Sequence, residues 1–150
     1  MNRKAVYLFV AAFSLVIVSA LYIPRHTWRA ISWDGYNDPD RGVGVAMTTW
    51  KLVNDGAIVD ESIATYASSE DARKDFREYL KGPGTIIEST KTADDPTGTD
   101  ERAIKASENA ETKAEEVQVI RLRGKNIQII GAASLKYVLA FERDWLKINF

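Results

Sequence analysis

The sequence predicts an α+β fold, with an N-terminal transmembrane helix followed by a small antiparallel sheet of about five to six strands covered by two helices. Three observations predict it: an uncharged apolar run near the start, β-branched segments separated by short turns, and two segments with apolar residues at helical spacing. The expected domains are a transmembrane anchor or signal peptide over 1–24, a juxtamembrane linker over 25–45 and an extracytoplasmic α+β domain over 46–150. The linker is assigned because Asp34–Gly42 is dense in turn-forming residues.

The apolar run from Ala5 to Ile23 has no charged residue and follows Arg3 and Lys4. As a helix it would be roughly 28 Å long at about 1.5 Å per residue, close to the hydrocarbon core of a bilayer at about 30 Å. We therefore expect a single-pass signal-anchor that contacts the membrane through residues 5–23. The basic residues before the run favour a cytoplasmic start, which places the C-terminal domain outside the cytoplasm.

Cleavage of the run is the alternative interpretation. Val18-Ser19-Ala20 offers the small residues that a signal peptidase recognises, so cleavage after Ala20 would release a secreted or periplasmic domain. The apolar character continues through Leu21-Tyr22-Ile23, which favours an uncleaved anchor. Trp28 and Trp33 follow the run, and tryptophan rings concentrate at the level of the lipid headgroups.

The first half of the domain predicts a hairpin and a helix. Met47–Val53 and Ala57–Tyr66 are strand-like, and the Asn54-Asp55-Gly56 turn between them is typical of a β-hairpin. Ser68 is expected to cap a helix that ends at Gly82-Pro83, because its hydroxyl can accept a hydrogen bond from the free amides of the first turn.

The second half of the domain predicts further strands and a final helix. Its strand-like segments are Thr85–Thr92, Glu101–Ser107, Val117–Arg123 and Asn126–Ala132. The stretch between the second and third of them is interpreted as an exposed loop, with a helix as the alternative. Gly124-Lys125 joins the last two as a two-residue hairpin, and Ser134 is expected to cap an amphipathic helix that packs on the sheet. The two helices are expected to cover one face of the antiparallel sheet.

Composition excludes several classes of function. The formal net charge is −1, whereas a nucleic-acid-binding protein is expected to have a strongly basic face. The chain has no cysteine, which excludes disulfides and thiolate metal sites. His26 is the only histidine, so a multi-histidine metal centre and a histidine-based triad are excluded. No cofactor or metal ion is expected.

The candidate binding residues are basic. Arg121 and Arg123 are two residues apart on a predicted strand and therefore share a face, and Lys125 lies in the adjoining turn. Such a row could bind phosphate, lipid headgroups or an acidic partner. The alternative is that this row is the solvated face of an antiparallel sheet whose opposite face carries Ile120 and Leu122.

These patterns favour a membrane-anchored, extracytoplasmic module for binding or assembly in the bacterial cell envelope, where a protein partner is possible and nucleic acid is not expected. Two alternatives stay open. The first is a small hydrolase or transferase that uses carboxylates, although an enzyme is the less favoured class because no nucleophile motif is present. The second is a secreted soluble domain after cleavage at Ala20. The oligomeric state does not follow from the sequence.

Overall fold

The computed structural model of this chain describes residues 27–91, 101–108 and 113–148. The strands form one antiparallel sheet in the order β1-β2-β3-β7-β6-β5-β4. In chain order the elements are β1 (Trp28–Asp38), β2 (Val43–Leu52), β3 (Ile58–Tyr66), α1 (Ser69–Lys81), β4 (Thr85–Lys91), β5 (Glu101–Glu108), β6 (Glu115–Arg123), β7 (Asn126–Ala132) and α2 (Leu135–Ile148).

Helix α1 begins as its capping pattern predicts. The Ser68 hydroxyl oxygen accepts a hydrogen bond from the Asp71 amide at 3.1 Å, which satisfies one of the free amides of the first turn. At the other end, the buried Lys105 of β5 donates from Nζ to the Tyr79 carbonyl at 2.7 Å. A cation next to the last carbonyls of a helix is stabilising, and this bond ties the end of α1 to the sheet.

The two helices lie on opposite faces of the sheet, and each covers a hydrophobic core of its own. Helix α1 packs on the face that we call the α1 face, where its Phe76 meets Ile120 and Leu122 of β6. Helix α2 packs on the other face, the α2 face, where Phe141 and Val138 meet Val119 and Ile130 of the central strands. Strand β6 is therefore buried on both faces.

The expected sheet and helix arrangement is wrong in two respects. In the described part of the chain the sheet has seven strands rather than about five to six, because residues 25–45, expected to be a linker, contain β1 and the start of β2. The two helices sandwich the sheet rather than cover one face of it. Residues 109–112 lie outside the described part of the chain, so the choice between loop and helix after β5 is not decided there.

The transmembrane helix expected as the first element is not among the elements of the described residues. Across residues 27–91, 101–108 and 113–148, no helix combines the length and the apolar composition needed to cross a membrane. The run at 5–23, on which the expectation depends, lies outside the described residues. For residues 27–91, 101–108 and 113–148, the fold class is corrected to a seven-stranded antiparallel sheet with two helices.

Candidate anion-binding cleft

A cleft of about 600 Å³ opens on the α2 face, between strand β3, the β6–β7 hairpin and the second half of α2. Its walls include all three basic residues singled out from the sequence, Arg121, Arg123 and Lys125. No acidic side chain is found among the described residues that line it. The remaining residues that line it are Ile63, Thr65, Gly124, Asn126, Gln128 and Trp145.

The hairpin explains why these side chains converge. Alternate residues of a strand share a face, so Arg121 and Arg123 of β6 point the same way. Cross-strand pairing then places Gln128 opposite Arg121 and Asn126 opposite Arg123. Lys125 lies in the connecting turn, and its carbonyl accepts a hydrogen bond from the Tyr66 amide at 2.9 Å, which ties the turn to the end of β3.

Arg121, which lines the cleft, is a buried charge, with 4% of the residue exposed. Its Nε lies 3.7 Å from Oε1 of Glu142 on α2, and its Nη1 donates to Gln128 Oε1 at 3.5 Å. The guanidinium carbon lies 5.8 Å from the centroid of the Trp145 ring, a cation–π distance. These contacts position the guanidinium, and Glu142 offsets part of its charge.

Glu142 is shared between two arginines of neighbouring strands. Arg102 of β5 donates to it from Nε at 2.7 Å and from Nη2 at 2.8 Å, a bidentate pair. This hydrogen bonding raises the pKa of Arg102. Arg102 also donates from Nη1 to Glu88 at 3.0 Å. Because Arg102 and Arg121 are direct cross-strand partners, Glu142 separates two like charges that would otherwise repel each other.

Glu61 extends this polar network to β3. It is 6% exposed, and its Oε1 accepts from Gln128 Nε2 at 2.6 Å while its Oε2 accepts from Trp50 Nε1 at 3.0 Å. Burial raises the pKa of Glu61, and the two hydrogen bonds partly oppose that rise. Gln128 thus links Glu61 on one side to Arg121 on the other.

The raised pKa of Glu61 predicts a pH dependence of stability. The folded protein binds this proton more tightly than the unfolded chain does, so the stabilisation is complete below the ordinary value of 4.5 and is lost as the pH rises through the raised folded pKa. We expect Glu61→Gln to remove this contribution. The measurement is the free energy of unfolding of the native chain and of Glu61→Gln as a function of pH. If the difference between the two free energies stayed constant from pH 4.5 upward, the raised pKa of Glu61 would be contradicted.

A second cleft, of about 430 Å³, lies on the α1 face and has the opposite character. Four acidic residues are among those that line it: Asp34, Asp60, Glu61 and Glu116. Asp60 accepts a hydrogen bond from Thr49 Oγ1 at 2.7 Å, and Glu116 accepts one from Gln118 Nε2 at 3.0 Å. Among the described residues, no group of three or more His, Asp or Glu side chains is placed to hold a metal ion.

Sequence reasoning found the basic residues of the cleft but missed its neutral residues and the two glutamates that contact the cleft residues, Glu142 and Glu61. Asn126 and Gln128 could have been found from the two-residue turn, because that turn sets the cross-strand pairs of the hairpin. Trp145 is half-buried; it packs against the core of the α2 face and also lines the cleft. Glu142 carries no sequence signal for its role, since only the packing of α2 brings it to Arg121.

Comparison with models of protein families, with curated proteins and with solved structures finds no match to this chain. Evidence for function therefore comes from the geometry of the two faces of the sheet.

Proposed function

We propose that this domain is a binding module and that the cleft on the α2 face takes an anionic group, a carboxylate or a phosphate. The observation that supports the proposal is the convergence of Arg121, Arg123 and Lys125 in one concave site whose described walls hold no acid. Basic groups that converge in a cleft concentrate anions there, because their fields add.

The chemistry of these side chains suits a small oxyanion. Arginine presents its donors in a planar fork that matches carboxylate and phosphate oxygens, whereas lysine acts as a point charge. Asn126 and Thr65 add neutral donors on the same wall. A pre-positioned Arg121 lowers the cost of ordering the site when a ligand binds.

The proposal extends to an anionic partner protein in the envelope, which would present a carboxylate or phosphate to this cleft. The location outside the cytoplasm depends on residues 5–23, which lie outside the described residues, and stays a prediction. The enzyme alternative also stays a prediction. The carboxylates of the second cleft are the type of residue that such an enzyme would use, and they give this alternative no more specific support.

We expect Arg123→Gln to weaken binding of inorganic phosphate by about tenfold or more, because a hydrogen bond to a charged group contributes about 1.5–3 kcal/mol. The test is isothermal titration calorimetry of the full chain in a mild detergent. Arg77→Gln is the matched control, since it removes the same charge from an exposed position on α1. If both variants weakened phosphate binding equally, the effect would come from the net charge of the protein, which would contradict a site at the cleft.

A further inference from the structure

Strand β1 is a long, exposed edge of the sheet. It pairs with β2 on one side, and no strand of the described part of the chain pairs with its other side. The unpaired backbone groups of such an edge can accept another strand. Large apolar side chains are exposed along it: Ile31 at 52%, Trp33 at 74% and Tyr36 at 57%.

The protections usual for an edge strand are weak in β1. In natural sheets, lysine, proline, short strands or bulges prevent an edge strand from pairing with another chain. The sequence from Trp28 to Asp38 has no lysine and no proline. It has one register shift, between Ala30 and Ser32, and from Ser32 onward the strand runs in regular register. The opposite edge, β4, is shorter and follows Pro83 closely.

The charges along β1 are complementary to the same strand running in the opposite direction. Arg29 lies near its N-terminal end, and Asp34 and Asp38 lie in its C-terminal half. When two copies pair antiparallel, the arginine of each copy meets the acidic half of the other, and the two Trp33 side chains approach each other near the two-fold axis.

We propose that β1 pairs antiparallel with β1 of a second copy of this chain, forming a two-fold dimer whose sheet is continuous through both copies. This interface uses the outer edge of the sheet, whereas the anionic cleft lies at its central strands β3, β6 and β7. The dimer and the cleft are therefore independent proposals, and the failure of one leaves the other standing.

Because the chain has no cysteine, one introduced cysteine provides the only thiol that a cross-linking reagent can modify. Ser32→Cys places a thiol near the middle of β1, and Ser89→Cys places the same thiol on the opposite edge strand, β4. In the full chain in mild detergent, we expect Ser32→Cys to form covalent dimers with a short bis-maleimide reagent and Ser89→Cys to stay largely uncross-linked. Equal yields at the two edges would overturn the proposal.

A second pair of variants tests the same interface without cysteine. Trp33→Lys puts a charge at the centre of β1, and Ile87→Lys puts one on β4, where the native side chain is 55% exposed. Sedimentation velocity should show the dimer lost in Trp33→Lys and retained in Ile87→Lys, with unfolding midpoints confirming that both variants fold. A monomeric native chain, or a dimer that survives Trp33→Lys, would overturn the proposal. So would protection of the Ser32→Cys thiol by lipid vesicles in a monomer, which would assign this edge to a membrane surface.

Discussion

Replacing Glu142 with alanine is expected to lower the free energy of unfolding by about 3–5 kcal/mol, the range measured when one partner of a buried ion pair is removed. Glu142 is 7% exposed and accepts two hydrogen bonds from Arg102 while lying 3.7 Å from Arg121 Nε. Without it, two guanidiniums on directly paired positions of β5 and β6 face each other with no carboxylate between them.

Glu88→Ala is the matched control for this prediction. Glu88 also binds Arg102, at 3.0 Å, but its side chain is 52% exposed, so water screens the pair. Its loss is expected to cost at most about 1 kcal/mol. Urea denaturation of the two variants beside the native chain provides the comparison. Similar costs for both would show that Glu142 does not hold the arginines together.

Gly84→Ala is expected to destabilise the fold by roughly 2–4 kcal/mol, because it combines backbone strain with a steric clash. Gly84 has a φ of +115°, a conformation that residues with a side chain rarely adopt. A Cβ atom at this position would lie 2.5 Å from the Ala106 carbonyl oxygen of β5. The Gly84 backbone thus needs glycine to reach its place beside β5 at the start of β4.

Gly124→Ala separates the two causes of that loss. Gly124 also has a positive φ, +55°, but a Cβ there would meet no atom within 4 Å. Its cost is expected to be about 1–2 kcal/mol, the strain of the left-handed conformation alone. Thermal unfolding of both variants measures the difference. If Gly124→Ala were as destabilising as Gly84→Ala, the close approach to Ala106 would not be the reason for the larger effect.

The elements that sequence reasoning found have strong local signals. Helix α1 has a capping serine and apolar residues at helical spacing, and the β6–β7 pair has a two-residue turn between β-branched segments. Both signals act over a few residues, so they can be seen without knowing the rest of the fold.

The sequence did not predict strand β1, because its residues are typical of a turn rather than of a strand. Asp34, Gly35 and Asn37 are turn-forming residues, and the strand shows no alternation of burial because almost all of its residues are exposed. Its pairing with β2, rather than its own composition, makes it a strand.

The sequence did not predict that the helices lie on opposite faces of the sheet, because the sequence of β6 is typical of a strand with one face in solvent. A strand buried on both faces usually has a nearly continuous apolar sequence. In β6, Gln118 and Arg121 interrupt it, yet Arg121 is buried through its contacts with Gln128 and Glu142. A buried charge with partners on other elements cannot be distinguished from a surface charge by its sequence position alone.

The proposed function depends most on the cleft that Arg121, Arg123 and Lys125 line. The most direct measurement is a titration of the ¹⁵N-labelled full chain with inorganic phosphate, followed by NMR of the backbone amides. We predict saturable shifts at Gly124, Lys125 and Asn126 in the native chain, and in Arg123→Gln a titration midpoint at about tenfold or more higher phosphate. Shifts that never saturate, or a midpoint that is the same in Arg123→Gln, would contradict an anion-binding cleft.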